Sequence, residues 1–175
     1  LHLLGSPVLR QPATEVGAVD DEVRALIADL TETMRAAKGV GLAANQVGVA
    51  RRVAVVEVQE GALVVLVNPV LVQKSRETEK AEEGCLSIPD IFADIERPAK
   101  VVVEAADERG IRRRIEGTGL LARAMQHEID HLDGILFLDR VGPLKRRRLL
   151  KDWERSRRGA SGHTKEIVPE GAART

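Results

Sequence analysis

Two pairs of β-branched runs constrain this chain more than any other feature. Val53–Val58 and Leu63–Val67 bracket Glu60-Gly61, and Val101–Ala105 and Ile111–Ile115 flank Asp107–Gly110. Each spacing predicts a hairpin. Strands joined this closely must run antiparallel, because a parallel neighbour needs a crossover of about a dozen residues or more. Asn68-Pro69 is expected to turn the chain toward a further strand. Strands in hairpins with few helices imply an α+β fold rather than a parallel α/β sheet.

Three helices complete this reading. Val23, Leu26, Ile27, Leu30 and Met34 recur at helical spacing after Asp20 and Asp21, predicting a helix over 21–37 that stops at the glycine pair Gly39 and Gly41. A second is expected over 119–132, ended by Gly134, and a third over 143–158, opened by Pro143. At 175 residues the chain suits one core, so 1–158 reads as a single catalytic domain. Residues 159–175 are polar and rich in Gly and Ala, and are expected to be a disordered tail.

The hexapeptide "QHEIDH", residues 126–131, carries the strongest chemical signal. On a helix, His127 and His131 share a face with Leu120 and Ala124. Two such imidazoles can chelate one divalent ion, and the carboxylate of Glu128 can reach a water on it. The bland alternative is a pair of ordinary helix histidines, which fits poorly with an otherwise apolar face. A catalytic ion needs a third protein ligand. Six residues beyond His131 stands Phe137, which cannot ligate, and Glu154 lies in a basic helix. Cys85, in "EGCLS", is the better choice: a thiolate and two imidazoles leave one corner of a tetrahedron open. A lone cysteine is more often a small buried hydrophobe, but the paired histidines still lack a ligand. In "GVGLAANQ", residues 39–46, the glycines let backbone approach a ligand, and Gln46 can donate its amide to an oxyanion.

Together, "GVGLAANQ", "EGCLS" and "QHEIDHLDG" resemble, in order and separation, the three motifs of the peptide deformylases. The resemblance covers roughly residues 1–157. It implies antiparallel sheets around a central metal-bearing helix. It also implies a metal-dependent hydrolase that removes the N-formyl group from formyl-methionyl nascent chains and releases formate. Carried over, it implies Cys85, His127 and His131 as metal ligands and Glu128 as the catalytic carboxylate. Gln46 and the Leu86 N–H would stabilise the oxyanion. Gly41 would meet the substrate backbone, and Val40, Leu120 and Ala124 would form the methionine pocket. Glu83 and Arg97 would pair to brace the cysteine segment. The implied cofactor is one divalent ion, natively ferrous iron, with zinc, nickel or cobalt able to occupy the site in purified samples. Arg123 is expected at the pocket rim, and Phe92 in a loop after "CLSIPD".

Two other functions fit parts of this pattern. A small metalloprotease would take Glu154 or another residue as third ligand and keep its metal without Cys85. A structural metal module would need four protein ligands, and three are found.

Composition narrows the partners. The single cysteine fits a reducing compartment, so the cytoplasm is expected. Residue 1 is Leu, so the initiator methionine is expected to lie outside this sequence. No apolar run is long enough to span a bilayer. Zero net charge and 2% aromatics offer nothing for sequence-specific DNA. The zero hides an asymmetry, since residues 144–158 carry eight basic side chains against Asp152 and Glu154. The bland reading is a solvated face; the sharper one is contact with ribosomal RNA near the emerging substrate. Deleting 145–175 is then expected to spare hydrolysis of short peptides, provided the core stays folded.

Overall fold

A computed structural model describes residues 1–167. Its larger sheet has five strands: β1 (Gly41–Ala43), β2 (Val53–Val56), β3 (Val64–Lys74), β6 (Lys100–Ala106) and β7 (Arg112–Thr118). They lie in the order β1-β2-β3-β6-β7, every pair antiparallel. A separate hairpin joins β4 (Thr78–Cys85) to β5 (Ile88–Pro98). The helices are α1 (Asp21–Ala36), α2 (Gly119–Leu132) and α3 (Pro143–Ser156).

Strand β2 is apolar at every position and is buried on both faces of the sheet. Val53 and Val55 point to α1, where they meet Leu30 and Met34. Ala54 and Val56 point the other way, to Met125, Ile129 and Leu132 of α2. The two-residue period of the strand thus feeds two cores. Leu30 and Met34 are fully buried, and truncating either is worth about 2–5 kcal/mol. A third core joins Ile88, Ile91 and Ile95 of β5 to Leu136, Phe137 and Trp153. This core fixes the hairpin, and so Cys85, against the end of α2.

Local signals explain the boundaries. The Asp20 carboxylate accepts the Val23 N–H at 2.9 Å and caps α1. Beyond α2, Gly134 has φ +74, and a Cβ there would stand 2.7 Å from the Arg10 carbonyl oxygen. Only glycine ends the helix so tightly against that segment.

Three expectations change. Asn68-Pro69 does not turn the chain out of the sheet. Asn68 sits at φ +50 inside a register shift, and β3 continues to Lys74. The proline lacks an N–H, and a bulge is where a strand tolerates that. Phe92 lies in strand β5 rather than a loop, and is 55% exposed. The tail expected to be disordered over 159–175 is only partly described: residues 168–175 lie outside the described residues, but Thr164 forms an antiparallel bridge with His2. Leu149, Leu150 and Trp153 of α3 pack into the third core. Trp153 is 8% exposed inside the third core, so deleting 145–175 would open that core.

Candidate metal centre and active site

Helix α2 brings His127 and His131 together, with ring centroids 4.9 Å apart. Cys85 comes from the end of β4, and its Sγ lies 3.1 Å from Nε2 of His131. The ligand atoms of Cys85, His127 and His131 all fall within 4.8 Å of one another. Among the described residues this is the one such group, and Glu154 has no part in it. Phe137, in the position that cannot ligate, stacks on His127 with centroids 6.4 Å apart.

The donor set fits a divalent ion. Nδ1 of His127 lies 3.1 Å from Oε2 of Glu83. A proton donated there leaves Nε2 as a free lone pair. Burial works against a charged His127, but hydrogen bonds to Cys85 and Glu83 overcome it and hold the ring well above its ordinary pKa. Burial drives His131 well below its ordinary value, and the positive charges of His127 and Arg97 push the same way. His131 is therefore neutral and ready to ligate. An ion between these groups would take the place of the His127 proton. Nδ1 of His131 and Oε2 of Glu128 are buried and have no hydrogen-bond partner among the described residues.

Glu83 anchors this arrangement from behind. Its carboxylate accepts Arg97 Nε at 2.5 Å, Arg97 Nη2 at 2.9 Å and Arg123 Nη1 at 2.7 Å. Burial pushes the Glu83 carboxyl up, yet the hydrogen bonds from Arg97 and His127 win and hold it well below the usual carboxylate range. Arg97 reaches on to Asp130 at 2.8 Å, which Arg140 also grips. Arg123 does line the cleft, as expected of a rim residue, but its guanidinium is tied to Glu83. It is 8% exposed and also donates to the Ile95 and Glu79 carbonyls.

Glu128 reaches the centre from the same helix and is 3% exposed. Desolvation pushes its carboxyl up to about 7. Gly41 lets it stand there, for a Cβ on that residue would lie 2.4 Å from Glu128 Oε1. Gln46 sits on the 3₁₀ turn Ala44–Val47. Its Oε1 accepts the Ala43 N–H at 2.9 Å, which turns Nε2 toward Ser87 Oγ at 3.1 Å and Cys85 Sγ at 3.6 Å. Leu86 follows Cys85 in the hairpin turn, with its side chain over Gly39.

These groups line one cleft of about 610 Å³. Val40, Leu120 and Ala124 line it as well. Val40 and Leu120 are exposed at its mouth and Ala124 is buried. His131 lies just beneath. Sequence reasoning missed two supports. Ser87 shares the Gln46 amide, and Asn45 donates to the His131 carbonyl, tying the 3₁₀ turn to α2. Both stand inside or beside the motifs already singled out, so adjacency was the available signal.

The family model described as "Polypeptide deformylase" matches residues 1–147. A peptide deformylase of Rhizobium meliloti is 48% identical over 150 residues, which is 83% of this chain and 86% of that protein. The crystal structure of a peptide deformylase from Synechococcus elongatus in complex with actinonin is 45% identical. It superposes with a TM-score of 0.83, over 88% of this chain and 85% of that one. A peptide deformylase structure from Legionella pneumophila gives a TM-score of 0.86 at 39% identity, covering 90% and 94%.

Proposed function

The chain belongs to the polypeptide deformylase family of metal-dependent hydrolases, which remove N-formyl groups from nascent peptides, and on that premise we propose how its residues divide the work. Cys85, His127 and His131 hold the ion. The observation that carries this is their grouping within 4.8 Å beside a buried carboxylate with an unpartnered oxygen. A divalent ion held by these three residues would supply Lewis acidity, making water more acidic and offsetting negative charge that develops in the reaction.

Glu128 accepts the proton of the attacking water and hands it to the departing amine. Its carboxylate is buried beside the ligands with one oxygen unpartnered, so it has a free acceptor for that proton. Gln46 Nε2 and the Leu86 N–H hold the developing oxyanion. Because the Ala43 N–H fixes the Gln46 amide, that donor needs no reorganisation during the reaction. Gly41 meets the substrate main chain, and Val40, Leu120 and Ala124 take the methionine side chain. The formyl carbon carries only hydrogen, so a crowded centre excludes acetyl by sterics.

Ferrous iron is the working metal in this reading, since one thiolate and two imidazoles suit it; zinc, nickel and cobalt accept the same donors. Residues 1–158 act as one catalytic domain in the cytoplasm. Helix α3 meets ribosomal phosphates through Arg147, Arg148 and Lys151, which are exposed and have no ion-pair partner among the described residues. The deciding assay is formate release from a formyl-Met peptide with the acetyl-Met analogue alongside. Rapid release from the first alone is expected; equal rates, or none, would refute the reading.

A further inference from the structure

The same cleft is lined by residues from the far end of the chain: Lys165, Glu166 and Ile167, together with Leu1. Nothing in the chemistry above uses them. Their position is built rather than incidental. The Lys165 N–H donates to the Leu1 carbonyl and the Leu3 N–H donates to the His163 carbonyl, each at 2.7 Å. The His2 N–H in turn donates to the Gln46 carbonyl at 2.7 Å. The His163 ring occupies the space a Cβ on Gly5 would need, 2.4 Å away, and Gly5 sits at φ +106. His163 Nδ1 lies 3.1 Å from the Leu4 carbonyl oxygen, which holds the ring in that notch. Gln46, residues 1–3 and residues 163–165 thus form three adjoining layers.

We propose that Lys165–Ile167 form a wall that contacts the residues following methionine in the formylated chain. This rests on the deformylase reading, because it places the reacting carbonyl beside Gln46. Two backbone hydrogen-bonded steps separate Gln46 from residues 163–165, roughly 10 Å if each is about the spacing of paired strands. An extended peptide rises ~3.4 Å per residue, so about three residues reach that distance. The wall therefore touches the third and fourth residues of the substrate and leaves the methionine pocket alone. Its chemistry is two exposed charges and one half-buried aliphatic side chain, suited to side chains of a peptide strand. Phe92, also exposed along this cleft, adds apolar surface for the same stretch.

The test compares kcat/KM on formyl-Met amide with that on formyl-Met-Ala-Ala-Ala. Metal-loaded wild type and the triple variant Lys165→Ala, Glu166→Ala, Ile167→Ala are measured side by side. Wild type should favour the longer peptide, and the variant should lose ~3–10-fold of that preference, the scale of a few peripheral contacts. Lys165→Glu provides a check that does not depend on removing side chains. It should move the preference between peptides with Lys and Glu at the third position by ~2–5-fold toward Lys, as for an exposed ion pair. If wild type is active but the length preference and the charge preference are the same in every variant, the wall is wrong and the deformylase reading stands. If wild type cleaves neither formyl-Met substrate, the reading itself fails and the wall falls with it.

Discussion

Gly41 sets the distance at which Glu128 can act. Any β-carbon there collides with Glu128 Oε1, so Gly41→Ala must push the carboxylate aside. Because a displacement of about 1 Å can cost ~10²-fold, kcat should fall by that order. Metal content by elemental analysis should be unchanged, which separates displacement from loss of the ion. Glu128 itself has a pH signature. In metal-free protein its folded pKa, about 7, lies above the ordinary 4.5. The folded chain then keeps a proton that the unfolded chain releases above 4.5. This contribution favours the fold fully below 4.5 and is lost as pH rises through 7. Metal-free Glu128→Gln should therefore be more stable than metal-free wild type at pH 8, by about 2–3 kcal/mol, and no more stable below pH 4.5. Urea melts at the two pH values measure this, and the variant should release almost no formate. Cys85→Ser should bind the ion far more weakly, since a hydroxyl stays protonated at neutral pH; full occupancy by elemental analysis would remove Cys85 from the ligand set.

At the scale of elements, the β4–β5 hairpin does work that its sequence conceals. "TEKAEEGC" reads as solvent-facing charge, and half of β4 is indeed exposed. It is a strand because β5 offers it an alternating partner in which Ile91, Ala93, Ile95 and Arg97 turn inward. The apolar strands β2 and β6 were legible, since their side chains alone dictate burial. So were α1 and α2, where caps and periodicity agree. Arg123 was not, because its acceptor Glu83 lies 40 residues away and only pairing of β4 with β5 brings it under α2. The three ligands, by contrast, are close to motif glycines and helix spacing, which local sequence does display. Arg123→Met tests the hidden part. It leaves the buried Glu83 carboxylate short of one donor, so the fold should lose about 3 kcal/mol in urea melts, within the range for breaking a buried pair. The His127 orientation should suffer too, read as weaker metal affinity in a chelator competition.

For the whole molecule, charge is distributed more tellingly than its sum. Residues 144–158 are strongly basic, and the remainder balances them. Part of that helix is spoken for: Arg146 pairs with Asp139 at 3.0 Å, and Arg157 lies over Trp153. Deleting the helix would expose the third core, so the cleaner experiment reverses charge on the outer face. Arg147→Glu, Arg148→Glu, Lys151→Glu should co-sediment poorly with ribosomes at low salt and still cleave a short formyl-Met peptide. The salt dependence of ribosome affinity should become shallower by about 2–3 in the log–log slope. Sedimentation equal to wild type would leave the face merely solvated.

The joined ends carry one more consequence, in time rather than in space. Gln46 is bonded to residue 2, residue 2 is bridged to residue 164, and residues 165–167 border the cleft. During synthesis residue 164 is made long after Gln46, and it must clear the exit tunnel before the bridge can close. The catalytic centre can assemble around α2 earlier, but its outer wall is the last piece to arrive. Each new copy thus completes its cleft only after nearly all of this sequence has left the ribosome.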